Sequence, residues 1–157
     1  MVAKIKLSEN FDYSSIYIRR SSIFENTNVV TFSGRTRDIF DIDFCDWDPT
    51  GHNDNATRST NWSTKGDYSI RLRSAMSWIS GTSTICRLTK QIPSKYIMFD
   101  YTTDNTLQVY EDDVLIATYQ GEQTDCYLEI TFDSFIRFQS LVSSDPIISY
   151  IDNIRYQ

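Results

Sequence analysis

The stretch from Trp62 to Trp78 alternates between apolar and polar side chains, and this pattern constrains the fold more than any other in the chain. Gly66 and Asp67 provide a turn signal just before the alternation begins. A period of two residues predicts a half-buried strand rather than a helix. The residues of the apolar parity, which we expect in the core, are Tyr68, Ile70, Leu72, Met76 and Trp78.

Further strand-like runs recur at short intervals along the chain, separated by turn residues. No stretch of about 12 residues keeps the apolar spacing of a helix. The sequence therefore predicts an all-β fold, an antiparallel β-sandwich, with a barrel as the open alternative. The predicted strands after Trp78 are 82–92, 96–101, 107–110, 114–119, 126–132, 135–141 and 147–156, and one more is predicted before it at 38–47.

The chain divides by pattern and by charge into residues 1–36 and residues 37–157. The first section is rich in Lys and Arg, whereas the remainder is acidic. We predict that residues 1–36 are an extended N-terminal arm or extra strands, and that residues 37–157 are the sandwich domain. An extended basic segment beside an acidic body predicts docking onto a neighbouring subunit or protein shell.

Composition limits the classes of partner and compartment. The net charge is −6 and the isoelectric point about 4.7, which argues against nucleic acid as a partner. The sequence shows no apolar core of signal-peptide length and no run near the roughly 20 residues that span a membrane, so we expect cytoplasmic synthesis and no membrane insertion. Three cysteines without metal-ligand spacing predict buried thiols, with a Cys45–Cys86 bridge left open: Cys45, Cys86 and Cys126.

No set of catalytic side chains stands out, and the prediction is that the protein is not an enzyme. His52 is the only histidine and lies in a polar loop. Asp112 and Asp113 are adjacent in a predicted hairpin, where neighbouring side chains point apart, unlike the carboxylate pair of a glycosidase. Aromatic rings in loops can stack on sugars, so Trp62 and Trp47 are the predicted carbohydrate-binding residues.

From residue 38 onward the chain resembles the jelly-roll carbohydrate-binding modules and their galactose-binding-like relatives. The matching stretches, in order, are Phe40–Phe44 followed by Trp47, Ser59-Thr60, Gly66–Leu72, Tyr96–Tyr101 and Ile151–Ile154. The resemblance implies a jelly roll. It also implies a structural Ca²⁺ ion held by Asp152 together with Asp43 or Asp41, since hard oxygen ligands suit calcium.

Two functions follow from these observations. The first is a non-enzymatic accessory or attachment protein of a virus particle, such as a phage capsid decoration, fibre or tail component. Such a protein would be made in the host cytoplasm, reside in the virion and bind protein partners there, or in a homo-oligomer. The alternative is a stand-alone, extracellular, lectin-like module that binds a cell-surface glycan. A glycan-binding virion protein would satisfy both.

Overall fold

Nine strands follow one another in residues 36–156, the part of the chain that this computed structural model describes. Every pairing between these strands is antiparallel. Residues 36–156 contain no helix, and therefore no helix long and apolar enough to cross a membrane. The predicted antiparallel all-β fold is confirmed. The strands are β1 Thr36–Asp38, β2 Thr57–Ser59, β3 Ser69–Met76, β4 Ser83–Ile85, β5 Arg87–Ile92, β6 Tyr96–Glu111, β7 Val114–Glu129, β8 Ser134–Ser140 and β9 Ile147–Tyr156.

Strand β6 organises the sheet, whose order is β2-β3-β9-β6-β8-β5. The first half of β6 pairs with β9 and its second half pairs with β8, while β7 follows β6 along both halves. The register of β6 against β7 shifts between Thr103 and Leu107. The break between the predicted strands 96–101 and 107–110 is therefore an irregularity within one long strand, which lets a single strand serve two halves of the sheet.

The two halves fold over one another to make a sandwich. Two strands, β9 and β6, separate β3 from β8 in the sheet order, yet the Ser140 hydroxyl donates to the Leu72 carbonyl at 3.3 Å. The rings of Phe99 on β6 and Phe138 on β8 meet edge to face, with centroids 4.9 Å apart. Because a flat sheet would separate such strands by about 14 Å, the halves must face each other.

The core follows from the alternation of the strands. Ile70 and Leu72 on β3 are fully buried, whereas Arg71 between them is only half-buried. On β8, Phe138 is fully buried among residues from both halves of the sheet. Burial of one such apolar side chain contributes roughly 1.5–3 kcal/mol, so this single shared core is the main source of cohesion.

Two predicted strands extend further along the chain than the observed ones. Residues 38–47 are not a strand beyond Asp38, because the chain turns at Phe40 and leaves Ile42 86% exposed. The strand β3 ends at Met76, so Trp78 lies in the following turn with 82% of its surface exposed rather than in the core. Alternation alone did not reveal where these strands stop.

The hairpin predicted between β6 and β7 is confirmed. Asp112 and Asp113 form its turn with φ angles of 46° and 68°. A two-residue turn with both φ angles positive matches the right-handed twist of the paired strands, and Asp tolerates this conformation better than most residues.

Cysteine use agrees with the thiol prediction. Cys86 and Cys126 are buried, Cys45 is half-buried, and all three are free, so the Cys45–Cys86 bridge is absent. The predicted arm lies outside the described residues except for Thr36, which begins β1 and pairs with Tyr156 at the end of β9.

Candidate functional site

The loop between β2 and β3, residues 60–68, carries Trp62 and is fixed by carboxylates from elsewhere in the chain. We call it the Trp62 loop. Asp152 on β9 is fully buried and accepts the backbone N–H groups of Thr64 at 2.7 Å and Lys65 at 2.8 Å. Asp41 accepts the N–H groups of Asp67 at 2.7 Å and Tyr68 at 3.0 Å. Hydrogen bonds to charged acceptors are strong, so the middle and the C-terminal end of the loop are held.

Gly66 makes the approach of Asp41 feasible. Its φ is +75°, in the region that favours glycine, and a Cβ atom there would lie 2.1 Å from the Asp41 carboxylate. Any side chain at this position would push the carboxylate away from the loop. The turn signal in the sequence therefore marks a close contact as well as a change of direction.

A buried polar cluster supports the loop from below. Asp100 on β6 is 2% exposed and accepts bonds from the Asn153 side chain at 2.9 Å and Arg155 at 3.0 Å. Arg155 also binds Asp125 at 2.6 Å, and the Thr64 hydroxyl donates to Asp100. Buried charges persist in proteins when they are paired in this way. Burial raises the pKa of Asp152, against the lowering effect of the bonds from Lys65, Thr64 and Asn153.

The three predicted calcium ligands are not gathered by the structure. Asp152 and Asp41 hold different parts of the Trp62 loop, its middle and its C-terminal end, and Asp43 accepts the N–H of Cys45 at 2.8 Å. Within residues 36–156, no group of three or more His, Cys, Asp or Glu side chains is placed to hold a metal ion. These carboxylates face N–H donors, whereas Ca²⁺ needs six to eight oxygen ligands, so the three side chains do not form a calcium site by themselves. Calcium binding stays a prediction.

Of the two predicted sugar-binding tryptophans, only Trp62 is at the surface. Its half-buried ring packs against Tyr150 of β9, with centroids 6.4 Å apart and planes inclined by 41°. The Asn61 side chain donates to the Tyr150 hydroxyl at 3.3 Å. The two rings thus form one aromatic surface, and Tyr150 is a member that sequence reasoning missed.

Trp47 is a core residue, which corrects its prediction as a sugar contact. It is 2% exposed, lies 5.7 Å from the Phe138 ring and donates its indole N–H to Asp38 at 2.7 Å. A ring enclosed in this way has no free face for a sugar. Its polar edge is satisfied inside the protein, as is usual for buried tryptophan.

A second surface lies on the outer side of β5, β8, β6 and β7, and we call it the polar face. Gln139 stands opposite both Arg87 and Gln108, and Arg137 stands opposite both Thr89 and Tyr110. The neighbouring positions Phe138, Leu88 and Val109 point into the core, so the polar residues must point outward. The members of the polar face are Arg87, Thr89, Gln108, Tyr110, Arg137 and Gln139.

The polar face contains buried polar atoms that lack hydrogen-bond partners. Five such side-chain atoms occur in residues 36–156, and three of them are Arg87 Nε, Arg137 Nε and Gln139 Oε1. Arg87 on β5 pairs with Gln139 on β8, and Arg137 lies two residues before Gln139 on the same strand. The three atoms therefore belong to neighbouring residues. An unpaired buried polar group costs about 1–3 kcal/mol, so each of these atoms calls for a partner, which a bound water or a polar ligand group can supply.

Contacts with neighbouring side chains fix the orientation of several residues of the polar face. The Arg137 guanidinium lies 4.3 Å from the centre of the Tyr110 ring and pairs with Asp113. The Gln108 side-chain oxygen accepts from Gln139 and from the Tyr110 hydroxyl, each at 3.3 Å. A cleft of about 340 Å³ opens beside them, lined by Thr89, Asp112, Asp113, Phe135 and Arg137.

The acids and the histidine do not assemble into a catalytic set in the described part of the chain. Asp112 accepts the Phe135 N–H at 2.9 Å and Asp113 pairs with Arg137. His52 is exposed, and its backbone joins that of Ile85. The carboxylates of Asp112 and Asp113 therefore have structural partners at the hairpin.

Comparison with known proteins finds a likeness among solved structures. No family model and no curated protein matches the chain. Among solved structures it is similar to a mutant of a family 29 carbohydrate-binding module, used to probe the mechanism of ligand recognition. The TM-score is 0.46 at 15% identity, over 71% of this chain and 81% of that chain. A likeness this distant carries no argument about what this chain binds.

Proposed function

We propose that this protein is a non-catalytic carbohydrate-binding module and that the polar face holds the saccharide. The observation that carries this proposal is the group of unpartnered buried atoms on Arg87, Arg137 and Gln139. They supply two donors and one acceptor within a small area. A ligand with many hydroxyl groups can accept from the first two and donate to the third, which removes the cost of leaving them unpaired.

The surroundings of these atoms suit a sugar. The guanidinium of Arg137 is stacked on Tyr110 and tied to Asp113, so its orientation is set before a ligand arrives. Phe135, which is 52% exposed, offers an apolar ring at the border of the cleft. A few fixed polar groups beside an aromatic ring give orientation and area together, which is the usual composition of a ligand site.

The proposal is tested by binding measurements on the whole chain. A glycan array selects a ligand, and calorimetric titration then compares wild type with Gln139→Ala and Arg87→Gln. Each variant should weaken binding about two- to tenfold, because each removes one hydrogen-bonding group. Gln123→Ala on β7, an exposed glutamine outside the polar face, is the matched control.

Two results would count against this function. An array without any hit, or variants that bind as tightly as wild type, would exclude the polar face as a saccharide site. Release of shorter products when the bound oligosaccharide is incubated with the protein would show that the module is catalytic. We expect the oligosaccharide to be recovered intact.

The role in a virus particle stays a prediction, and the described residues do not bear on it. A glycan-binding face would serve a phage capsid decoration, fibre or tail component as an attachment site, so the two functions are compatible. Mass spectrometry of purified particles tests this placement and the predicted virion localisation. Recovery of the protein only from the free, extracellular fraction would favour the stand-alone module instead.

A further inference from the structure

We propose a second ligand site, on the opposite side of the sandwich from the polar face, which binds an acidic sugar residue such as a hexuronate. It consists of the aromatic surface of Trp62 and Tyr150 together with Arg71. This inference does not rest on the polar face, because the two surfaces belong to different halves of the sheet and share no residue.

The strand register places these residues side by side. Tyr150 on β9 stands opposite Arg71 on β3 and opposite Thr102 on β6. Ile70, Ile151 and Tyr101, which precede or follow them in their strands, point into the core. Side chains alternate across a strand, so Arg71, Tyr150 and Thr102 form a row on the outer face.

The Trp62 loop is held in place before any ligand arrives. Its middle and its C-terminal end donate backbone N–H groups to two carboxylates, Asp152 and Asp41, and Asp152 is fully buried. Burying a carboxylate is costly, and here two of the three N–H groups that offset the cost belong to the loop that carries Trp62. A ring presented on a fixed loop loses little conformational entropy on binding, which favours affinity.

The charge beside the rings defines the class of ligand. Arg71 and Arg73 form no ion pair with any acid in residues 36–156. Glu122 on β7 pairs with Thr102, at the end of the row away from Arg71. A guanidinium without an acidic partner can bind a carboxylate through two parallel hydrogen bonds. A pyranose ring that stacks on Trp62 while its carboxylate reaches Arg71 satisfies both features.

Calorimetric titration of the full chain with tetragalacturonate and with its carboxyl-reduced, neutral counterpart tests the inference. Trp62→Ala should weaken binding of both probes about tenfold, because it removes the stacking ring. Arg71→Gln should weaken tetragalacturonate about tenfold and leave the neutral probe unchanged. Trp78→Ala is the matched control, since this tryptophan is exposed on another loop.

The outcomes separate this site from the polar face. Gln139→Ala should leave the Trp62-dependent binding of tetragalacturonate unchanged. If Trp62→Ala and Arg71→Gln both bind the probes as wild type does, or if wild type binds neither probe, the second site is wrong, whatever the polar-face variants show. If Trp62→Ala fails to fold, Arg71→Lys is the second variant. It keeps the positive charge but loses the two parallel N–H donors of the guanidinium. It must therefore still weaken the binding of tetragalacturonate and leave the binding of the neutral probe unchanged.

Discussion

At the scale of single residues, the most informative group is the buried contact of Trp47, Asp38 and Lys90. Asp38 accepts from the Trp47 indole at 2.7 Å and from the Lys90 ammonium at 3.1 Å, and Lys90 also donates to the Cys45 carbonyl at 2.6 Å. Burial lowers the pKa of Lys90, but hydrogen bonds with Tyr156 and Asp38 outweigh it and raise this pKa. The group fastens the irregular segment after β1 to β5.

Trp47→Phe should lower the free energy of unfolding by about 1–3 kcal/mol, because Asp38 loses one buried donor. Saccharide binding should not change, since the indole is inside the protein. Urea unfolding and calorimetric titration measure the two effects, and Trp78→Phe at an exposed position should alter neither by much. Weaker binding with unchanged stability would contradict the assignment of Trp47 to the core.

At the scale of elements, the link between β9 and the Trp62 loop joins stability to ligand binding. Asp152→Ala removes the acceptor of the Thr64 and Lys65 N–H groups. We expect a loss of about 1.5–3 kcal/mol in the free energy of unfolding, as for a hydrogen bond to a charged group, together with weaker binding of tetragalacturonate. Asp67→Ala, in the same loop, keeps its backbone bond to Asp41 and is the control. Unfolding by urea and titration with tetragalacturonate measure the two effects. If Asp152→Ala binds tetragalacturonate with full affinity, the hydrogen bonds from the loop to Asp152 are not needed for binding.

Strands were predictable where burial follows sequence spacing. Strands β3, β5, β8 and β9 lie close to their predicted positions, because each places alternate residues in one shared core, whereas β6 and β7 are single long strands where the sequence predicted two each. The prediction failed at residues 38–47, where Cys45 and Asp46 adopt φ angles of 52° and 63°. Positive φ values end the extended conformation, and the apolar spacing of Phe40, Ile42 and Phe44 does not report them.

The candidate sites were only partly predictable. Trp62 was found because a tryptophan among polar loop residues stands out locally. The polar face was missed because Arg87, Gln108 and Gln139 each occupy an ordinary outward position of a strand. Only the register of β5, β8 and β6 brings them together, and the burial of the unpartnered Arg87 and Gln139 atoms depends on neighbouring strands.

At the scale of the whole molecule, a sheet that folds back on itself gives one core and two outer faces. The core is shared by both halves, so its titratable groups report on the entire fold. Burial raises the pKa of the thiols of Cys86, Cys126 and Cys45, the last to about 11. Burial likewise raises the pKa of the phenols of Tyr101, Tyr119 and Tyr156.

These shifts predict that the protein loses stability in alkaline solution. The ordinary pKa values are 9.0 for the thiols and 10.0 for the phenols, so the unfolded chain releases these protons first as pH rises. Above about pH 9 the unfolded state therefore binds fewer protons than the folded state, and the free energy of unfolding falls with pH. Below that pH the contribution is fully present.

Urea midpoints should agree at about pH 7 and about pH 8 and should drop by about pH 10. In Cys126→Ala, the drop relative to its own neutral value should be smaller, because one titrating group is gone. A midpoint that stays constant up to about pH 10 would mean that the buried thiols and phenols ionise as readily in the folded chain as in the unfolded one.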